Sequence, residues 1–180
     1  MSTSSPSKDN LKIKKTHIAE TRIVIVAARW NSDITDNLVK GAQNRLSSAG
    51  VLKKNIDLFR VPGAFELPLA CQKIAQRKSF AVIGDKGISA NTYDGIIALG
   101  CVIRGGTPHF EYVCNETSRG LGEVALKTGI PVGFGLLTTD DLDQAKQRSC
   151  IQKPSAPSQS NKGQEAADAV LEMIYLFRDL

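Results

Sequence analysis

Apolar residues fall along this chain in two alternating rhythms. The run Arg22-Ile23-Val24-Ile25-Val26-Ala27-Ala28 has no polar alternation, which predicts a strand buried on both faces of a parallel sheet. Behind it Ile34, Leu38, Ala42 and Leu46 recur every four residues and Gly50 stops the pattern, so a helix is predicted, with Ser32 or Asp33 as its cap. The alternation repeats. Asn55 to Val61 reads as a second strand, and Phe65 to about Gln76 as a helix with Leu67, Ala70, Cys71 and Ile74 on one face. Asp94 to Ile103 reads as a third buried strand, His109 to about Thr128 as a helix, and Ile130 to Thr138 as a fourth strand. Asp140 to Arg148 is a short helix, and Gly163 to about Phe177 a last amphipathic one.

Three segments break the rhythm. Lys78 to Tyr93 carries Gly84, Asp85, Gly87 and Asn91 and predicts a loop. Ser149 to Ser160 is rich in Pro and Ser and predicts irregular chain. Residues 1–20 are rich in Ser and Lys and read as a flexible arm ahead of a single domain at 21–180.

Strands alternating with helices imply an α/β class: a parallel sheet covered on both faces, with right-handed crossovers. Ligands of such sheets gather at the carboxyl ends of the strands. There the sequence places Arg29-Trp30-Asn31, then Pro62-Gly63-Ala64-Phe65-Glu66, then Arg104-Gly105-Gly106-Thr107-Pro108-His109, and finally Thr138, Thr139 and Asp140.

Composition narrows the function. The formal net charge is +5 with 23% charged residues, but the charges are scattered. The densest group, Lys12, Lys14 and Lys15, has no aromatic neighbour for base stacking, which argues against nucleic acid and leaves an anionic small substrate. The four cysteines, Cys71, Cys101, Cys114 and Cys150, form no CxxC pair, and neither HxxxH nor HExxH occurs, so no metal site is expected. No apolar run is long enough to span a bilayer, and a cytoplasmic protein without membrane contact is expected.

Each candidate residue has two readings. In Arg104 to His109 the glycines admit close approach by a ligand, Thr107 and Pro108 can open a helix whose amides suit a phosphate, and His109 can shuttle protons beside it. A plain strand-to-helix turn with a surface histidine explains the same residues. Glu66 can accept from sugar hydroxyls or complement a helix dipole. Trp30 can stack on a planar ligand or pack in a core. Phe134 has the same two readings, with core packing within a buried strand the plainer one. Arg148 and Lys162 can grip a phosphate or remain solvated cations.

Taken in order, Ala28-Arg29-Trp30-Asn31, Val61-Pro62-Gly63-Ala64-Phe65-Glu66-Leu67-Pro68, Leu99 to Val113, Pro131 to Thr139 and Asn161-Lys162-Gly163 resemble the lumazine synthase family over roughly residues 20 to 178. The resemblance implies a flavodoxin-like three-layer α/β/α sandwich on a four-stranded parallel sheet. It implies a homopentamer with active sites between subunits, and no cofactor. The reaction implied joins 5-amino-6-(D-ribitylamino)uracil to 3,4-dihydroxy-2-butanone 4-phosphate, releases phosphate and water, and gives 6,7-dimethyl-8-ribityllumazine. By the same resemblance Trp30 stacks on the uracil, with Asn31 beside it. Ala64, Phe65 and Glu66 hold the uracil and its ribityl chain, and Cys101, Val102 and Ile103 contact the pyrimidine. Gly106 and Thr107 form the phosphate-side loop, and His109 moves the protons. Phe134 comes from an adjacent subunit, and Arg148 and Lys162 bind the phosphate. Residues 149–160 are longer than the tight loop of shell-forming members, so a free pentamer is expected rather than an icosahedral shell. Two other readings remain at this point: a non-catalytic riboflavin or FMN binder, and a flavodoxin-type electron carrier, which would need a phosphate loop after the first strand.

Overall fold

All six residues of β1 (Ile23–Ala28) are buried, as its unbroken apolar run requires. Its side chains alternate between two cores. Ile23, Ile25 and Ala27 pack with Leu38, Leu46, Leu171 and Ile174, whereas Val24, Val26 and Ala28 pack with Leu67, Cys71, Leu121 and Val124. One strand therefore anchors two helical layers, and each fully buried Leu or Ile contributes about 1.5–3 kcal/mol of transfer free energy.

The computed structural model describes residues 15–83, 86–151 and 160–180. The remaining elements are α1 (Ser32–Ala49), β2 (Ile56–Val61), α2 (Leu67–Ala75), β3 (Lys78–Ile83), β4 (Lys86–Asn91), β5 (Gly95–Ile103), α3 (His109–Thr128), β6 (Val132–Thr139), α4 (Leu142–Arg148) and α5 (Lys162–Asp179). The main sheet has four strands in the order β2-β1-β5-β6, all parallel. Helices α1 and α5 cover one face, and α2 and α3 the other. This is the expected three-layer α/β/α sandwich. Counting only its own strands, the sheet has the order 2-1-3-4 of a flavodoxin-like fold. The register aligns the carboxyl ends: Ala28 pairs with Val61 and Ile103 with Thr139.

Several expectations change. The predicted loop at 78–93 is an antiparallel hairpin, β3 with β4, in which Phe80 pairs with Ser89 and Val82 with Gly87. Of the residues that read as loop signals, Gly87 pairs with Val82 inside the ladder and Asn91 ends β4. Gly84 and Asp85 lie outside the described residues, as do 1–14 of the expected arm and 152–159 of the expected irregular segment. The last residues of that arm, Lys15–Glu20, form a 3-10 turn with Ile18 buried, so they belong to the fold. Helix α1 is capped by neither Ser32 nor Asp33: Asn31 holds the cap position in the left-handed region, at φ 55° and ψ 51°. Gly50 ends that helix at φ 105°, as expected of a glycine stop. Thr107 does not cap α3, whose first residue is His109 behind Pro108.

Candidate active site

At the end of β1 the Arg29 N–H donates to the Val61 carbonyl at 2.9 Å, which keeps the chain on β2 for one more residue. Trp30 then turns outward and is 73% exposed. The left-handed backbone at Asn31 aims its side chain across the sheet edge, where Nδ2 donates to the Cys101 carbonyl at 2.9 Å. That bond ties the β1 turn to the end of β5. From the other side, Gly63 comes so near that a Cβ there would stand 3.5 Å from Trp30 Cδ1 and 3.1 Å from Glu66 Oε2. The Glu66 carboxylate accepts from the Gly63 N–H at 2.8 Å and so shapes this turn. Arg29, Trp30, Asn31, Pro62 and Leu142 line a cleft of about 580 Å³, a volume that suits a small molecule. Leu142 was not singled out in the sequence; it reaches the cleft because α4 packs back against β6 and β5.

Ala64 and Cys101 are both buried, in the cores on opposite faces of the sheet, and Val102 and Ile103 are half-buried. Burial pushes the Cys101 thiol up to about 11, so at neutral pH it is a neutral wall, not a nucleophile. Phe65 and Glu66 are exposed on the adjoining 3-10 turn, Ala64–Glu66.

The β5 exit is organised by Arg104. Its N–H donates to the Thr139 carbonyl at 2.8 Å. Its guanidinium pairs with Glu111 and, at 3.0 Å, with Asp140, and lies 4.2 Å above the centre of the Phe110 ring. The bond from Arg104, reinforced by its charge, holds the Glu111 carboxyl below the usual carboxylate range. Arg104 thus straps the start of α3 to the end of β6, with Gly105, Gly106 and Thr107 exposed between them. A Cβ on Gly105 or Gly106 would meet nothing within 4 Å, so internal packing does not demand either glycine. His109 follows on the first turn of α3 and is exposed. The role of Arg104 was not read from the sequence; the usable signal was an arginine flanking a helix start with Glu111 in its first turn.

The other candidates lie apart. Arg148, the last residue of α4, is exposed and donates from Nη1 to the Gln144 carbonyl at 3.1 Å. Lys162, at the start of α5, pairs with Glu165 at 2.7 Å. Phe134 pairs with Ala98 inside the sheet, five residues before the carboxyl end of β6, or roughly 16 Å along the strand. It is 50% exposed, which overturns its reading as core packing. Among the described residues, no hydrogen bond or ion pair joins Phe134, Arg148 or Lys162 to Trp30 or His109. Trp30 and Asn31 thus line the cleft, with Glu66 shaping the adjoining Gly63 turn and Cys101 bonded to Asn31.

Comparison with known proteins supplies a family. The family model of 6,7-dimethyl-8-ribityllumazine synthase matches residues 20–178. A 6,7-dimethyl-8-ribityllumazine synthase of Desulfovibrio desulfuricans is 45% identical over 159 residues, covering 88% of this chain and 90% of that one. One from Nitratidesulfovibrio vulgaris is 44% identical over 159 residues, with the same coverage.

Proposed function

The chain belongs to the 6,7-dimethyl-8-ribityllumazine synthase family, and we propose that it makes this product at the carboxyl edge of its parallel sheet. It condenses 5-amino-6-(D-ribitylamino)uracil with 3,4-dihydroxy-2-butanone 4-phosphate, a transferase step of riboflavin biosynthesis. The observation that carries the placement is the cleft after β1, where an exposed indole faces a turn made by Gly63 and Glu66. Trp30 stacks on the uracil, and Asn31 holds that stacking position through its bond to the Cys101 carbonyl. Backbone groups at Ala64 and Phe65 meet the heterocycle, and Glu66 accepts from the ribityl hydroxyls. Cys101, Val102 and Ile103 form the apolar wall beside the ring.

The second substrate lies toward the β5 turn, with Gly106 and Thr107 against its phosphate and Arg148 and Lys162 as counter-charges. The uracil amine attacks the ketone, and loss of water gives an imine. Phosphate then leaves, the resulting enol becomes a ketone, and the ribitylamino nitrogen closes the ring with loss of a second water. Every step moves a proton and none moves electrons to an acceptor, so one near-neutral base suffices, and His109 stands at the start of α3 to serve. Holding both substrates together supplies much of the acceleration; such proximity is worth about 7–11 kcal/mol.

The complete site forms between copies of the chain. Phe134, half-exposed far from its own sheet edge, supports a role in a neighbour's site, and Leu58 and Phe59 on edge strand β2 offer apolar surface for assembly. The assembly is a homopentamer; a particle near sixty subunits by light scattering would contradict it. Residues 21–180 act as one catalytic domain, against which the turn at Lys15–Glu20 packs through Ile18. No described helix is long and apolar enough to cross a membrane, which supports action in the cytoplasm. The test is to mix purified protein with both substrates and follow lumazine fluorescence. Product formation supports the reading; tight flavin binding with no product would replace it with a passive flavin binder.

A further inference from the structure

Asn161 is 3% exposed, and its side chain uses its whole bonding capacity. Oδ1 accepts from the Gly163 and Gln164 amides at 2.9 and 3.1 Å, which caps α5. Nδ2 donates to the Asn37 carbonyl of α1 and to the Ser149 carbonyl, each at 3.0 Å. Capping needs only the oxygen. The two donated bonds do something else: they fasten the residue after Arg148 to the residue before Lys162, and fasten both to α1. Ser149, itself 1% exposed, forms an antiparallel bridge with Asn161. The bridge brings together the chain just after Arg148, the last residue of α4, and the chain just before Lys162, the first residue of α5. The carboxamide fits because α1 presents Gly41, where a Cβ would lie 2.1 Å from Oδ1, and because Gly163 lets α5 meet α1, a Cβ there falling 2.0 Å from the Leu38 carbonyl oxygen. The link serves the fold by satisfying two buried carbonyls, but it also ties an arginine that has no carboxylate partner among the described ion pairs to a lysine whose partner, Glu165, is on the surface; two cations linked in this way suit a phosphate dianion that both can grip.

We propose that Asn161 is a positioning residue for the keto-phosphate: through its two donated bonds it sets the spacing of Arg148 and Lys162. This rests on the reading of those two residues as the phosphate grip. Asn161→Ser and Asn161→Asp both keep a good capping oxygen and lose both donated bonds. Calorimetric titration with inorganic phosphate and steady-state kinetics read the result, alongside the melting temperature. Both variants are expected to stay folded, to weaken phosphate binding and raise the keto-phosphate KM about tenfold, and to leave the KM for the uracil substrate within about twofold. A purely structural role would instead lower kcat or the active fraction and leave phosphate affinity alone. In an Arg148→Ala background, Asn161→Ser is expected to add less than about twofold, because the two act as one unit. A folded Asn161→Ser or Asn161→Asp protein with the original phosphate affinity overturns the positioning role, as does a full tenfold effect on top of Arg148→Ala. Unchanged phosphate affinity in Arg148→Ala alone removes the phosphate grip itself, and the positioning role with it.

Discussion

Asn31 holds two features in one residue, and they separate by mutation. Its backbone lies in the left-handed region at φ 55°, and its side chain donates across the sheet edge to the Cys101 carbonyl at 2.9 Å. Asn31→Gly keeps the backbone conformation at no steric cost and removes the hydrogen bond, which costs about 1 kcal/mol at this half-buried position. Asn31→Ala removes the same bond and also forces a Cβ-bearing residue without a local polar partner into the left-handed region, about 1 kcal/mol more. The expected order of stability is wild type, then Gly, then Ala, in steps of about 1 kcal/mol each, or roughly 2–4 °C per step for a chain of this size. Urea denaturation at one fixed protein concentration measures it, since assembly couples stability to concentration. Both variants also free the β1 turn, so the KM for the uracil substrate should rise in both, by a similar factor, while the keto-phosphate KM holds. Equal stability of the Gly and Ala variants would refute the strain argument. An unaltered uracil KM in both would refute the claim that this bond holds Trp30 in place.

Other outcomes follow from packing and charge. Gly163→Ala puts a methyl 2.0 Å from the Leu38 carbonyl oxygen, on backbone that cannot rotate away, so α5 must lift from α1. The cost is about 3 kcal/mol, less about 1 kcal/mol regained in helix propensity, and a denaturation midpoint equal to wild type would contradict the packing. Burial pushes the Cys71 thiol up to about 12 and Cys101 up to about 11. The folded protein thus holds these protons more tightly than the unfolded chain, whose thiols titrate near about 8.5. Their stabilisation is full below that pH and is lost as pH rises toward the folded values. The midpoint of unfolding should therefore fall above about pH 9, and less steeply in Cys71→Ala; identical slopes for the two proteins would remove Cys71 as a cause.

The sheet and its helices were legible because each β-branched run or four-residue repeat reports local burial, and β1 and α3 came within a residue of their predicted starts. The hairpin at 78–91 was not, since its turn residues outweighed two short strands that pair only with each other. Trp30, Glu66 and His109 follow the carboxyl ends of β1, β2 and β5, as expected where the strand ends of a parallel sheet share one edge. For Phe134 only the core-packing reading failed, because period and hydrophobicity say that a strand residue is apolar, not that an edge strand leaves it half-exposed. The Arg104 strap and the Asn161 link were not visible either: each joins segments through side chains, and Asn161 reaches Asn37 across 124 residues. Such bonds exist only after the layers have packed.

We propose that His109, at the entry of α3, moves the protons of lumazine formation. Phosphate release and lumazine formation should be followed together in the wild type and in His109→Ala. One phosphate per lumazine is expected in both proteins. Turnover should slow roughly 100-fold or more in the variant, the usual contribution of a general acid–base group, with residual activity from substrate proximity. Unchanged turnover in a folded His109→Ala protein would contradict that role.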